Sequence, residues 1–241
     1  MPLRLRPLEG TPWRVVEAQH LVSTRKLVDA LEEQALREEL LEPSKPPTPA
    51  PRQLHVLLAT PFRYPPLKHG SRFGGRHEPS LWYGSESQRT LFAELSYYRL
   101  VFLAGTAAEI DTLRTWHTAF TVRFRTRKGL DLTGAPFDVR REEVASPVSY
   151  AASQALGSEM RESGVEAFRF PSARDSARGT NVGIFTPAAF GAARPRSFET
   201  WHCTASQERV EVVRRDFFEE RSFTFPRGEF LVGGRLPAPA P

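Results

Sequence analysis

Cysteine is almost missing from this chain, with Cys203 the one representative in 241 residues. That excludes an internal disulfide framework and a cysteine-based metal site, and it fits a reducing cytoplasm. Long apolar runs are missing too. None approaches the roughly 20 residues that a membrane helix requires, and the N-terminal stretch lacks the apolar core of a signal peptide. The six histidines show no HExxH or comparable ligand spacing, so no metal is expected. A Walker loop, a dinucleotide fingerprint and a Gly-x-Ser-x-Gly elbow are all absent. No internal repeat is visible.

What is present reads as a soluble globular protein. Hydrophobic residues make up 40% and charged residues 25%, and 241 residues suffice for one domain with a sizeable core. Lys and Arg number 33 against 28 Asp and Glu, giving +5. Such a balance suits an anionic small molecule, nucleic acid or an acidic partner without choosing among them. Arginine greatly outnumbers lysine, which favours bidentate phosphate contacts.

Along the chain, Trp13–Val16 reads as a short extended segment. A helix is expected from Ser23 and Thr24 to about Glu42, with Leu27, Val28, Leu31, Ala35 and Leu41 on its apolar face. The run Pro43–Pro51 is a stiff connector. Leu54–Leu58 reads as a buried strand, and Leu81–Tyr83 as a short aromatic one. Phe120–Arg125 alternates as a half-exposed strand should. Ser146-Pro147 and Gly164 bound a helix over about 147–163. Strands are expected at Val165–Phe170, Val182–Phe185 and Arg209–Val213, with a frayed tail after Arg235. Helices and strands do not alternate strictly, which favours α+β over a doubly wound sheet. The simplest division is one domain over 1–241: an N-terminal helical arm and proline-rich connector (1–52), a core (53–235) and a tail (236–241).

The most informative stretch is Gly70–Arg99. A loop rich in glycine and arginine (Gly70, Arg72, Gly74, Gly75, Arg76) precedes Leu81-Trp82-Tyr83. Gly84-Ser85-Glu86-Ser87 then offers a cap, and Leu91, Leu95 and Tyr98 mark one helical stripe with Phe92 on its edge. Glu94 borders that stripe. A carboxylate against a protein interior needs a partner, which the loop arginines can supply; alternatively it is a rim glutamate paired with Arg99.

The order GSRF, LWYGS, an Ala-Glu step in a helix, then SYYR, resembles the RES-domain proteins, toxins of bacterial RES–Xre toxin–antitoxin pairs. The segment Gly164–Arg174 (GVEAFRFPSAR), followed by Asn181 and Ile184-Phe185, looks like the serine-bearing motif of that family. The likeness runs from about Trp13 to Phe190. It implies a single domain with a split, mostly antiparallel sheet resembling the ADP-ribosyltransferase fold, plus the N-terminal helical arm. It also implies NAD as substrate and an Xre-like antitoxin partner, with nucleic acid reached only through that antitoxin; the cytoplasmic location is the one the single cysteine already suggests. Arg72, Tyr83, Glu94 and Ser172 match the motif positions, the first three spaced by eleven residues. Where the family has tryptophan after Gly-Gly-Arg this chain has His77, so Arg76 competes with Arg72 as the motif arginine. The family's early arginine corresponds to Arg14 or Arg63, and Tyr64 accompanies Arg63 as a pocket aromatic.

Cleavage of the nicotinamide–ribose bond passes through a ribosyl cation, as glycoside hydrolysis does. Glu94 is suited to stabilise that charge, and Arg72 to clamp a pyrophosphate. Tyr83 can stack on nicotinamide, and the Ser172 hydroxyl can fix its carboxamide or a phosphate. Equally, Tyr83 can be a core residue and Ser172 a turn cap. The expected activity is a toxin that degrades NAD with water or phosphate as acceptor. A protein acceptor, making the chain an ADP-ribosyltransferase, stays open. A different class, a basic RNA- or protein-binding module acting through Arg123, Arg125, Arg127 and Lys128, is the remaining alternative.

Overall fold

The computed structural model of the protein describes residues 3–18, 46, 51, 53–66, 68–216 and 219–238. The helix expected at 23–42 and most of the connector lie outside the described residues. Ten strands form one sheet: β1 (Arg6–Gly10), β2 (Trp13–Glu17), β3 (Trp82–Ser85), β4 (Leu113–Thr121), β5 (Phe124–Asp131), β6 (Ala167–Pro171), β7 (Thr180–Ile184), β8 (Arg196–Ala205), β9 (Arg209–Arg215) and β10 (Glu220–Pro226). Their order is β1-β5-β6-β7-β3-β2-β4-β8-β9-β10, and every pairing is antiparallel except β5 with β6. The fold is therefore α+β with a mostly antiparallel sheet.

At its centre the sheet nearly parts. β2 and β3 share a single residue pair, Trp13 with Ser85, whereas β2 and β4 share five. Five strands lie on each side of this seam. The backbone groups that a parting ladder leaves unpaired need other partners. One is supplied across the seam, where Arg14 Nη1 donates to the Tyr83 carbonyl at 2.8 Å.

Four helices cover the sheet among the described residues: α1 (Val56–Arg63), α2 (Gln88–Gly105), α3 (Arg141–Val144) and α4 (Ala151–Glu162). Ser87 caps α2 by accepting the Thr90 N–H at 3.1 Å. The buried stripe of α2 is Phe92, Tyr97, Leu100 and Leu103, packed on Trp201, Val210, Val212 and Phe225 of the β2-side half. α4 sets Leu156 and Met160 against Phe168 and Phe170 of the other half. Burying each such large side chain is worth about 1.5–3 kcal/mol. α4 ends in a Schellman motif, with Gly164 at φ 74°, its N–H on the Arg161 carbonyl and the Val165 N–H on that of Met160.

Several boundaries differ from expectation. Leu54–Leu58 is not a strand; it leads into α1, capped by His55 Nδ1. A short apolar run does not distinguish strand from helix, and the i, i+4 pair Leu58 and Phe62 decides, both buried against Trp82 and Val182. Phe120–Arg125 is not one strand but the end of β4, a two-residue link and the start of β5. The alternation persists through the link because Val122 and Phe124 are both buried in the same cluster. The helix expected at 147–163 begins at Ala151, because the Ser146 hydroxyl accepts from the Val148 and Ser149 N–H groups and holds a turn there. The tail is tied down through Pro237, whose carbonyl accepts from the Tyr97 hydroxyl at 2.6 Å.

Candidate active site

The seam opens into a cavity of about 320 Å³. Side chains on a strand alternate between faces, so Tyr83 and Ser85 point opposite to Trp82, and Asn181 opposite to Val182. The Trp82 face packs on α1. Tyr83, Ser85 and Asn181 share the other face, where α2 supplies Leu91, Glu94, Leu95 and Tyr98 to the cavity wall. The helical stripe visible in the sequence is thus the wall of the cavity. The stripe buried in the core is rotated away from it.

Glu94 is the best-anchored group there. Its Oε1 accepts from Ser172 Oγ at 2.7 Å and from Asn181 Nδ2 at 2.6 Å. Its Oε2 has no hydrogen-bond partner among the described residues. Ser172 Oγ in turn accepts from the Arg174 and Asp175 N–H groups, each at 3.1 Å. The hydroxyl proton of Ser172 therefore goes to Glu94 and is not offered to a ligand. Arg99, the partner considered for Glu94, pairs with Glu17 instead.

The glycine-rich loop places the arginine. Gly157 of α4 lies so close to it that a Cβ would meet the Phe73 carbonyl oxygen at 2.3 Å. Ser71 and Gly74 exchange backbone hydrogen bonds across the turn. The Tyr83 hydroxyl accepts the Phe73 N–H and bonds Ser71 Oγ, both at 3.0 Å. Burial pushes that phenol up to about 12, against the opposing pull of these two bonds, so it stays protonated at neutral pH. Arg72 is buried, donates to the Ser146 carbonyl at 2.8 Å and lies over the Tyr150 ring at 4.6 Å.

Arg14, facing the same cavity, is lowered to about 10 by burial, and its Nε has no hydrogen-bond partner among the described residues. Neither Arg14 nor Arg72 is paired with a carboxylate among the described residues. Two part-enclosed guanidiniums without counter-ions form a site for an anion.

Of the residues singled out from sequence, the structure brings Arg14, Arg72, Tyr83 and Glu94 to one cavity, with Ser172 directly behind Glu94. Arg76 turns to His77 on an exposed stretch, and Arg63 donates to the Pro46 carbonyl. Arg14 and Arg72 line the cavity, whereas Arg63, Tyr64 and Arg76 are not part of its wall. Sequence reasoning had Ser85 in a capping stretch, Tyr98 on the helical stripe and Asn181 beside the serine-bearing motif, but named none of them, nor Tyr150, as a site residue. For Asn181 a signal existed: it is the one asparagine in the chain. Among the described residues no cluster of ligating side chains suits a metal, and no helix is long and apolar enough to cross a membrane.

A comparison with curated proteins finds no match. Among solved structures, the chain is similar to the crystal structure of the M. tuberculosis MbcT–MbcA toxin–antitoxin complex. That likeness has 14% identity and a TM-score of 0.47, covering 81% of this chain and 85% of that one. The RES domain family profile matches residues 46–206, about two thirds of the sequence. The chain belongs to the RES domain family.

Proposed function

We propose that the protein is a toxin that cleaves NAD at the nicotinamide–ribose bond. The observation that carries this reading is a carboxylate held by two donors on one oxygen, its other oxygen unpartnered among the described residues, in a cavity shared with two arginines that have no counter-ion among those residues. A cavity of about 320 Å³ lies at the small end for ligand sites, and it suits the nicotinamide riboside end of a dinucleotide. Arg14 and Arg72 would meet the pyrophosphate at its edge. Tyr83, Tyr98 and Tyr150 offer aromatic surface to the nicotinamide ring.

In the reaction the bond between ribose C1′ and the pyridinium nitrogen breaks. Its electron pair leaves with nicotinamide, which departs neutral, and positive charge develops on the ribose. Glu94 Oε2 faces that charge and stabilises it, a term typically worth about 10²–10³ in rate. The acceptor oxygen then bonds to C1′ and gives up its proton. Whether it comes from water, phosphate or a protein side chain is read from the co-product: ADP-ribose, its phosphorylated form or a modified protein.

An enzyme that consumes NAD has to be silenced in its own cell, which supports an antitoxin protein, of Xre type by family resemblance, as the partner. The basic strip is a weaker candidate for function. Arg123 and Arg125 lie within 3.6 and 3.7 Å of Glu9, and Lys128 within 3.7 Å of Glu166, so much of its charge is matched locally.

Antitoxin-free protein incubated with NAD is expected to release nicotinamide in step with one of the three co-products. Intact NAD after prolonged incubation with water, phosphate and cell extract present would overturn the reading.

A further inference from the structure

The lone asparagine of the chain is aimed at the carboxylate that the proposed reaction needs, and a serine at the seam holds it there. Ser85 Oγ donates to Asn181 Oδ1 at 2.6 Å, and Asn181 Nδ2 donates to Glu94 Oε1 at 2.6 Å. Both Ser85 and Asn181 are buried, and both line the cavity. The orientation of the amide follows from chemistry. An ionised carboxylate only accepts, so it takes the NH₂ side, and the carbonyl side is left for a donor. In this position Ser85 is that donor. Turned over, the amide would set its oxygen against a carboxylate oxygen.

We propose that Ser85 and Asn181 form a positioning relay that fixes the Glu94 carboxylate with Oε2 toward the cavity. The geometry of the relay stands by itself, and its part in the reaction rests on the NAD-cleaving reading of Glu94. Ser85 occupies a distinctive place. It forms the only residue pair joining β3 to β2, with Trp13, before the two halves of the sheet part. The residue that closes the seam therefore also sets the carboxylate beside the opening. Ser172 holds Glu94 from the loop after β6, and Asn181 holds it from β7, so the two donors reach one oxygen from different elements. The Ser172 hydroxyl alone leaves the carboxylate free to rotate about its terminal torsion, because that torsion has broad minima. A second donor on the same oxygen removes that freedom. Preorganisation of this kind acts on the chemical step more than on ground-state binding.

The variants are Ser85→Ala, Ser85→Thr and Asn181→Asp, each compared with wild type for NAD cleavage. Ser85→Ala is expected to lower kcat about tenfold with KM within about twofold, and Ser85→Thr, which keeps a hydroxyl, to recover most of the loss. Asn181→Asp, which replaces the donor by a second carboxylate, is expected to lower kcat about a hundredfold. Wild-type kcat in Ser85→Ala or Asn181→Asp would overturn the relay, and so would a loss in Ser85→Ala confined to KM.

A second readout needs no activity. Because Asn181 is the one asparagine, labelling with ¹⁵N-asparagine gives a single side-chain NH₂ signal. Its Glu94-bound proton is expected to exchange slowly in wild type and at least tenfold faster in Ser85→Ala. Exchange at the free-amide rate in wild type, or unchanged exchange in Ser85→Ala, would contradict the relay. Protection lost on Ser85→Ala in a wild-type protein that leaves NAD intact would uphold the geometry and sink the NAD reading instead. NAD cleavage with kcat and exchange both indifferent to Ser85 would do the reverse.

Discussion

Two carboxylates in this molecule, Glu94 and Glu199, are both enclosed and both held by several donors, yet they are not alike. Glu199 on β8 is saturated. Its Oε1 accepts from Arg214 Nη1 at 2.7 Å and Arg221 Nη2 at 2.9 Å, and its Oε2 from Gln88 Nε2 at 2.6 Å and Trp201 Nε1 at 3.1 Å. The bond to Glu199 is also what raises the Arg221 guanidinium above its ordinary range. Glu94 has two neutral donors on one oxygen, none on the other, and no ion-pair partner among the described residues. A carboxylate with all its acceptor sites filled by β8, β9, β10 and the start of α2 ties those elements together. One left half-filled at a cavity wall has capacity for a ligand. Completeness of hydrogen bonding, more than burial, separates the acid that ties the fold together from the one proposed to act on substrate.

That distinction can be stressed in order of expected effect. The largest stability effect comes with pH. His117 is buried, and burial, with Arg99 beside it, lowers it from 6.5 to about 4. The unfolded chain therefore takes up the proton first, and stability present above pH 6.5 is lost as pH falls toward 4, by about 3 kcal/mol from this group. Urea midpoints of wild type between pH 7 and 4 should fall more steeply than those of His117→Gln. Next, Glu199→Ala removes the carboxylate shared by Arg214 and Arg221, which keep only their outer contacts to Asp216 and Glu219, and should cost about 2 kcal/mol by chemical denaturation. Its specific activity, counted per folded molecule, should stay within about twofold of wild type. A smaller effect is expected for Ser172→Ala, which removes one of the two donors on Glu94 and should lower kcat about tenfold. Its own loop also loosens, since two backbone N–H groups lose their acceptor, at about 1 kcal/mol. Smallest is Tyr83→Phe, which removes the hydroxyl shared by Ser71 and the Phe73 N–H; the expected cost is about 1 kcal/mol in the unfolding free energy, with KM for NAD raised a few-fold.

The sequence was legible where a residue type and a local pattern coincide. A cap within Gly84–Ser87, Gly164 as a terminator and the aromatic strand before α2 were all readable, because each is decided within a few residues. Glu94 was readable as a misplaced carboxylate for the same reason. Motif order pointed to Arg72, Tyr83 and Ser172, and the structure places them at or beside one cavity; that Arg14 and not Arg63 lines it follows from position in the fold, not from local pattern. What could not be read depends on contacts distant in sequence. Glu199 owes its character to Arg214, Arg221 and Gln88, and the last is 111 residues away. Asn181 meets Glu94 across 87 residues and Ser85 across 96. Leu54–Leu58 was misread as strand because a short apolar run fits either element, and tertiary packing of Leu58 and Phe62 settled it. The Phe120–Arg125 alternation misled because a tight link between strands of opposite halves kept the same inward rhythm.

The most direct measurement is nicotinamide release from NAD by Glu94→Gln and Glu199→Gln side by side, each normalised to folded protein. The account predicts that Glu94→Gln loses at least a hundredfold with an unfolding midpoint close to wild type, while Glu199→Gln keeps its activity and loses stability. Release by Glu94→Gln at the wild-type rate would contradict it.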